Sequence, residues 1–200
     1  MTGEICGFFG PKGSGKTNHA LVGLKTHRRV ILCGRNRQEA IERGARIVES
    51  PRALLECIKA AGSGAFRLAY RFGGLDTAAE FETVNRLAWA AEDVSLLWDE
   101  IDLFVPTAHL SGYGKLLVNE GRHRRVNIYF TSRRPMRVDR DLTANADRLC
   151  VFRTWEPRDI EYLTEFMGAA AKGARSLENF QYLDWRDGEE IVTSKKSWKY

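Results

Sequence analysis

The sequence predicts an α/β fold, a mostly parallel central sheet with helices on both faces. Three observations predict it. Short apolar, strand-like runs alternate with helix-periodic segments along the chain. The first of these runs ends in a glycine-rich stretch, GPKGSGKT (10–17), and a later one, LLWDE (96–100), ends in two acids. A parallel sheet collects the carboxyl ends of its strands on one edge, so the glycine loop and the acids are expected side by side.

EICGFFG (4–10) is a short apolar strand stopped by glycine, and a helix is expected from Gly15 to about Lys25. RRVILCGR (28–35) is the second strand. PRALLECIKAA (51–61) opens on proline, which suits the first position of a helix because its missing N–H has no intrahelical partner there. AFRLAYRF (65–72) has strand character, and DTAAEFETVNRLAWAAE (76–92) spaces Phe81, Val84, Leu87 and Ala88 along one helical face. VSLLWDE (94–100) is a continuous apolar strand, residues 109–125 are helical, and 126–132 form a strand. LCVFRT (149–154) is a strand, PRDIEYLTEFM (157–167) a helix, and YLDWRDGEEIVTS a hairpin turning at Asp187 and Gly188. One domain over residues 1–200 is expected, with a core from about 4 to 165 and a C-terminal helix and hairpin in 166–200.

Hydrophobic residues make up 44% of 200 residues, enough for a substantial core. The net charge is +5, and arginine far outnumbers lysine. Arginine is the better bidentate phosphate partner, so the bias points to a polyanion, nucleotide or nucleic acid. Cys6, Cys33, Cys57 and Cys150 lack metal-type spacing, and three of them sit in apolar runs. Buried, reduced thiols fit a cytoplasmic protein. The four histidines form no HExxH or comparable cluster. No signal peptide or apolar run of membrane-spanning length is visible.

GPKGSGKT matches the phosphate-binding pattern G-x-x-x-x-G-K-[S/T], and its strand-before, helix-after context is the one that pattern needs. Gly10, Pro11, Lys12, Gly13, Ser14, Gly15, Lys16 and Thr17 would cradle the phosphates of ATP with inward N–H groups and a helix N-terminus. Lys16 would reach the β- and γ-phosphates, and Thr17 would put its hydroxyl on Mg²⁺. An acidic pair ending a strand is common by itself. Beside a phosphate loop, Asp99 is expected to hold Mg²⁺ through water and Glu100 to orient the attacking water. Asp102 is expected at the surface.

NEGRHRRVNIYFTSRRP (119–135) flanks one core strand with arginines on both sides. That strand is expected between the Asp99 strand and the phosphate-loop strand. This is the additional-strand, RecA-like class of three-layer P-loop NTPase. Ser132 and Arg133 would then lie near the γ-phosphate. Arg122 would lie at the opposite end, away from its own nucleotide, where it can serve a neighbouring subunit as an arginine finger. Arg124 and Arg125 are expected as solvated surface charges, with nucleic-acid contact as the second reading.

The constellation resembles the FtsK/HerA superfamily of DNA-translocating ATPases. The resemblance rests on GPKGSGKT, LLWDEIDLF and GRHRRVNIYFTSRRP, with ADRLCVFRTWEPRDIEYL (146–163) similar to the following strand and helix start. Residues 36–92 and the tail carry no such signature. The family usually has glutamine immediately before Arg-Pro, where this chain has Arg133, so the sensor role falls to Arg133 or to Ser132. With room for the core alone, the chain is most similar to the minimal genome-packaging ATPases of tailless, membrane-containing viruses. That resemblance implies a Mg²⁺-dependent ATPase in a pentameric or hexameric homo-oligomeric ring. It would drive double-stranded DNA into a capsid from the host cytoplasm, beside capsid or portal-vertex proteins, with no membrane span of its own. The alternatives are a filamentous-phage assembly ATPase of the zonula-occludens-toxin-like family, a plasmid or mobile-element transfer ATPase, and, in another class, an ATP-dependent switch or scaffold. Glu100 favours hydrolysis over simple binding.

Overall fold

The computed structural model describes residues 3–34, 44–73, 76–105, 108–189 and 191–195. Among them the strands are β1 (Ile5–Phe9), β2 (Arg29–Gly34), β3 (Arg46–Val48), β4 (Phe66–Arg71), β5 (Ser95–Trp98), β6 (Asn127–Ser132), β7 (Arg148–Phe152), β8 (Gln181–Arg186) and β9 (Val192–Lys195). These described strands form one sheet in the order β3-β4-β2-β5-β6-β1-β7-β8-β9. β1 to β7 run parallel, and β8 and β9 are added antiparallel at one edge. The described helices are α1 (Lys16–Gly23), α2 (Pro51–Ala61), α3 (Thr77–Ala91), α4 (Gly112–Glu120), α5 (Arg140–Ala144) and α6 (Pro157–Met167).

Helices cover both faces, so the central strands have no solvent-facing side: all of SLLW in β5 is buried. Side chains still alternate between two cores with the period of a strand. On one face, Ala20, Leu21 and Leu24 pack with Phe8, Leu97, Tyr129 and Phe152. On the other, Leu54, Phe81, Leu117, Ile160 and Leu163 pack with Phe9, Leu96, Phe130 and Val151. α1 thus lies on one face, and α2, α3, α4 and α6 on the other. This is a three-layer P-loop NTPase fold, with β6 between β5 and β1 as expected.

Local chemistry sets the helix starts. Ser50 accepts from the Ala53 N–H at 3.2 Å ahead of Pro51, and Asp76 accepts from the Ala79 N–H at 3.0 Å. The helix expected from 109 begins instead at Gly112, which holds φ +49°. Its cap comes from another helix. Glu82 of α3 accepts the Tyr113 N–H at 2.5 Å and the Gly114 N–H at 3.4 Å. Arg29 is a second tie across the fold. Its buried guanidinium donates to the carbonyls of Gly62 and Ala91, at the C-terminal ends of α2 and α3, whose dipoles favour a cation.

The hairpin turns at Asp187 and Gly188 (φ +75°). It is anchored to the sheet where Arg148 of β7 grips Asp184 of β8 at 2.7 and 2.5 Å. The C-terminal helix expected after 165 is a 3₁₀ run, Gly168–Ser176. Arg35, at the end of the expected second strand, and Glu190 of the hairpin lie outside the described residues. Among the described residues, no helix is long and apolar enough to cross a membrane.

Candidate active site

β1 ends at Phe9, and the chain turns on Gly10, whose N–H donates to the Ser132 carbonyl at 3.2 Å. A Cβ on Gly10 would lie 2.8 Å from both the Phe152 Cβ and the Ser14 Oγ, so β7 and the loop close around a bare backbone. Gly13 (φ +79°) and Gly15 (φ +92°) are left-handed, which curls the loop into a nest. α1 starts at Gly15 without a side-chain cap, leaving its first N–H groups for an anion. Ser14 Oγ is buried without a hydrogen-bond partner among the described residues. Lys16 is 5% exposed, and its Nζ lies 3.9 Å from Glu100 Oε1. Burial lowers the Lys16 pKa, and Glu100 and Asp99 oppose that shift.

Asp99 continues from β5, its N–H donating to the Cys33 carbonyl at 2.8 Å. Its Oδ1 accepts from Thr17 Oγ1 and Thr131 Oγ1, each at 2.8 Å. Burial raises its pKa, against the pull of those two hydroxyls. An anion beside Lys16 and a cation beside Asp99 would each favour the charged form that burial disfavours. The donors and acceptors therefore fit a polyphosphate with a divalent cation. Glu100 holds left-handed backbone (φ +55°), a strain of about 1 kcal/mol or more for a non-glycine residue. Its N–H donates to Thr131 Oγ1 at 2.8 Å. Its Oε1 receives Arg133 Nε at 2.8 Å and Arg133 Nη2 at 2.6 Å.

Lys16, Thr17, Asp99, Glu100 and Arg133 thus converge at the carboxyl edge of the sheet. Ser132 does not turn into the cluster. It is fully buried, and its Oγ exchanges hydrogen bonds of 3.1 Å with the Arg134 N–H and carbonyl. Thr131, which sequence reasoning missed, makes the contacts instead. Neighbouring strand residues face opposite ways, and Tyr129 and Thr131 share the face that α1 covers. That alternation was the available signal. Asp102 is not the surface residue expected. It is half-buried, its Oδ1 has no hydrogen-bond partner among the described residues, and its charge reaches Lys16.

Arg122 lies at the amino end of β6, lining a cavity of about 750 Å³ with Glu4, His27, Arg29 and Asp147. It donates to Asp147 Oδ1 at 2.6 Å, and Asp147 Oδ2 accepts the Ile5 N–H at 2.8 Å. Arg125 is an exposed surface charge, as expected, whereas Arg124 is half-buried. Arg124 pairs with Glu92 and lies 4.3 Å from the Trp89 ring centre, and Arg125 is 3.8 Å from Asp93. Arg134 holds the buried Asp159 at 2.7 Å. Each arginine flanking β6 has its own carboxylate, which is how one strand carries so much positive charge at both ends.

Neither protein-family models nor curated protein sequences give a match to this chain. Solved structures do. The genome packaging NTPase B204 from Sulfolobus turreted icosahedral virus 2, in complex with sulfate, superposes with a TM-score of 0.81 over 100% of both chains at 17% identity. VirB4 of Thermoanaerobacter pseudethanolicus gives 0.72 over 98% of this chain and 90% of its own, at 13% identity. The N-terminal domain of zonular occludens toxin from Neisseria meningitidis gives 0.57 over 100% and 96%, at 14% identity. These neighbours are FtsK/HerA-type P-loop ATPases, and the chain shares their fold.

Proposed function

We propose that this chain is an FtsK/HerA-type ATPase that hydrolyses ATP with Mg²⁺ to move double-stranded DNA, as a viral genome-packaging motor. The observation that carries the reading is one cluster at the carboxyl edge. Thr17 and Thr131 share Asp99, and Glu100 stands beside Lys16. The fold is that of B204, which has been solved with ATP-gammaS and AMPPCP. The N–H groups of 10–17 and Lys16 would bind the triphosphate, and Thr17 and Asp99 would hold Mg²⁺. The cation, when bound, supplies positive charge for the phosphoryl oxygens. Glu100 orients water and accepts its proton, provided Arg133 lets go of its carboxylate.

Arg133 is therefore read as a latch as well as a sensor. Its two nitrogens on one Glu100 oxygen keep the base engaged, and an anion that draws the guanidinium away frees it. Arg133→Ala is expected to leave ATP affinity largely intact and to remove the stimulation of turnover by DNA. Unchanged rates with and without DNA would end this role. Thr131→Val should cost more. It leaves the Glu100 N–H without an acceptor and Asp99 one donor short, about 1–3 kcal/mol for a buried group. Thermal denaturation should show a loss of roughly 2–10 °C, with turnover falling in parallel. An unaltered Tm and rate would refute it.

The working form is a homo-oligomeric ring in which Arg122 serves the neighbouring nucleotide, in the host cytoplasm or at a capsid's packaging vertex. A transfer ATPase is the second reading, supported by the VirB4 likeness. Steady-state ATP hydrolysis with and without duplex DNA separates a motor from a nucleotide switch. A motor turns over faster on DNA, and a rate indifferent to DNA, in protein that binds it, contradicts the proposal.

A further inference from the structure

The loops leaving β6 and β7 meet beside the active site. Arg134 Nε holds Asp159 Oδ2 at 2.7 Å, its Nη2 lies 3.7 Å from Glu156 Oε1, and the Met136 N–H donates to Asp159 Oδ1 at 3.3 Å. This junction fixes the 3₁₀ turn Pro135–Arg137 against the start of α6. Around it, Arg137, Arg153 and Arg158 are exposed. The five arginines flanking β6 all have carboxylate partners. Arg137, Arg153 and Arg158 have none among the described residues. Trp155 stands between them in the chain at 61% exposure, with the Arg153 guanidinium 5.9 Å from its ring centre. Met136 adds a further exposed apolar side chain at 38%.

The chain's own nucleotide is not the natural ligand of this patch. The cradle leads into α1 on one face of the sheet. The patch gathers around α6, whose Ile160 and Leu163 pack on the opposite face. Unpaired guanidinium groups on a tight turn and a helix start, around an exposed indole, suit a regular row of phosphates with sugars between them. We propose that Arg137, Arg153, Arg158 and Trp155 form the surface that grips the backbone of duplex DNA. The inference rests on the DNA-motor reading and gives it a place. Arg133 is four residues from Arg137 along the same loop and holds Glu100. DNA seated on the patch thus lies beside the latch that restrains the catalytic carboxylate.

The test is fluorescence anisotropy of a labelled duplex of random sequence across a salt series. It compares the full chain, the variant Arg137→Ala/Arg153→Ala/Arg158→Ala, and a control Arg46→Ala/Lys59→Ala/Arg86→Ala that removes three exposed cations elsewhere. Loss of three phosphate contacts should flatten the slope of log K against log salt by about 2.7. Trp155→Ala alone should weaken binding with little change in slope. DNA-free ATP hydrolysis and ATP affinity should match the parent in every variant. DNA binding as tight in the patch variant as in the control overturns the patch and leaves the motor reading standing. Failure of the parent chain to bind duplex DNA overturns both. Loss of ATP affinity in the patch variant would assign the arginines to a nucleotide, and loss of self-association with DNA binding retained would assign them to a second copy of the chain. Either result overturns the proposal.

Discussion

Glu100→Gln is expected to bind ATP and turn it over very slowly, with a loss of roughly 10²–10⁴ in rate, the usual contribution of a positioned general base. The substitution keeps the side chain's shape and removes its charge and basicity. Lys16 and Arg133, 3.9 and 2.6 Å from Glu100 Oε1, would lose a counter-charge and not a contact. The cradle itself is built from backbone N–H groups, Lys16 and Thr17, none of which the variant alters. Binding and turnover should therefore separate. Equilibrium binding of a labelled ATP should stay near the parent value while phosphate release collapses. A variant that keeps most of the parent rate would move the water-orienting role away from Glu100.

Arg122→Ala is the other large effect, a loss of roughly 10³–10⁵ in turnover if the residue acts as a finger. It cannot act on its own nucleotide. β6 has six residues, so its ends lie roughly 20 Å apart, with Arg122 before the amino end and the cradle beyond the other. The pair with Asp147, half-exposed on both sides, holds the guanidinium ready without burying it. Mixing tests the geometry better than the single variant. An Arg122→Ala subunit keeps its own phosphate loop, and a Lys16→Ala subunit keeps its own finger. A mixed ring contains interfaces that pair an intact loop with an intact finger, so activity should partly return. Co-assembly on DNA without any rescue would return Arg122 to a structural role, pinning Asp147 at the start of β1.

Much of this fold could be read from the chain because its signals are local. GPKGSGKT needs only left-handed glycines and a following helix. Pro51–Ala61 carries its own cap and proline, and a run such as Leu96, Leu97 and Trp98 tolerates only a position covered on both faces. What escaped depended on distant partners. The start of α4 is set by Glu82, thirty-one residues before Tyr113, and no local cap announces it. β3 is three residues long, too short for a period to show. At the site, the loop, Asp99 and Glu100 followed from spacing. The choice between Thr131 and Ser132 required knowing which face α1 covers. The pairing of every arginine around β6 was hidden for the same reason. Its acids lie between 25 and 33 residues away in sequence where the bonds connect them, and charge counting along the chain sees a basic cluster.

The most direct measurement is displacement of a triplex-forming strand from linear duplex DNA, followed in time with ATP, with AMPPCP, and with the Glu100→Gln variant. The account predicts displacement by the parent protein with ATP, whose delay grows with the distance the protein must travel, and none with AMPPCP or with Glu100→Gln. ATP hydrolysis stimulated by DNA, in protein assembled on that DNA, with the third strand left in place, would contradict it.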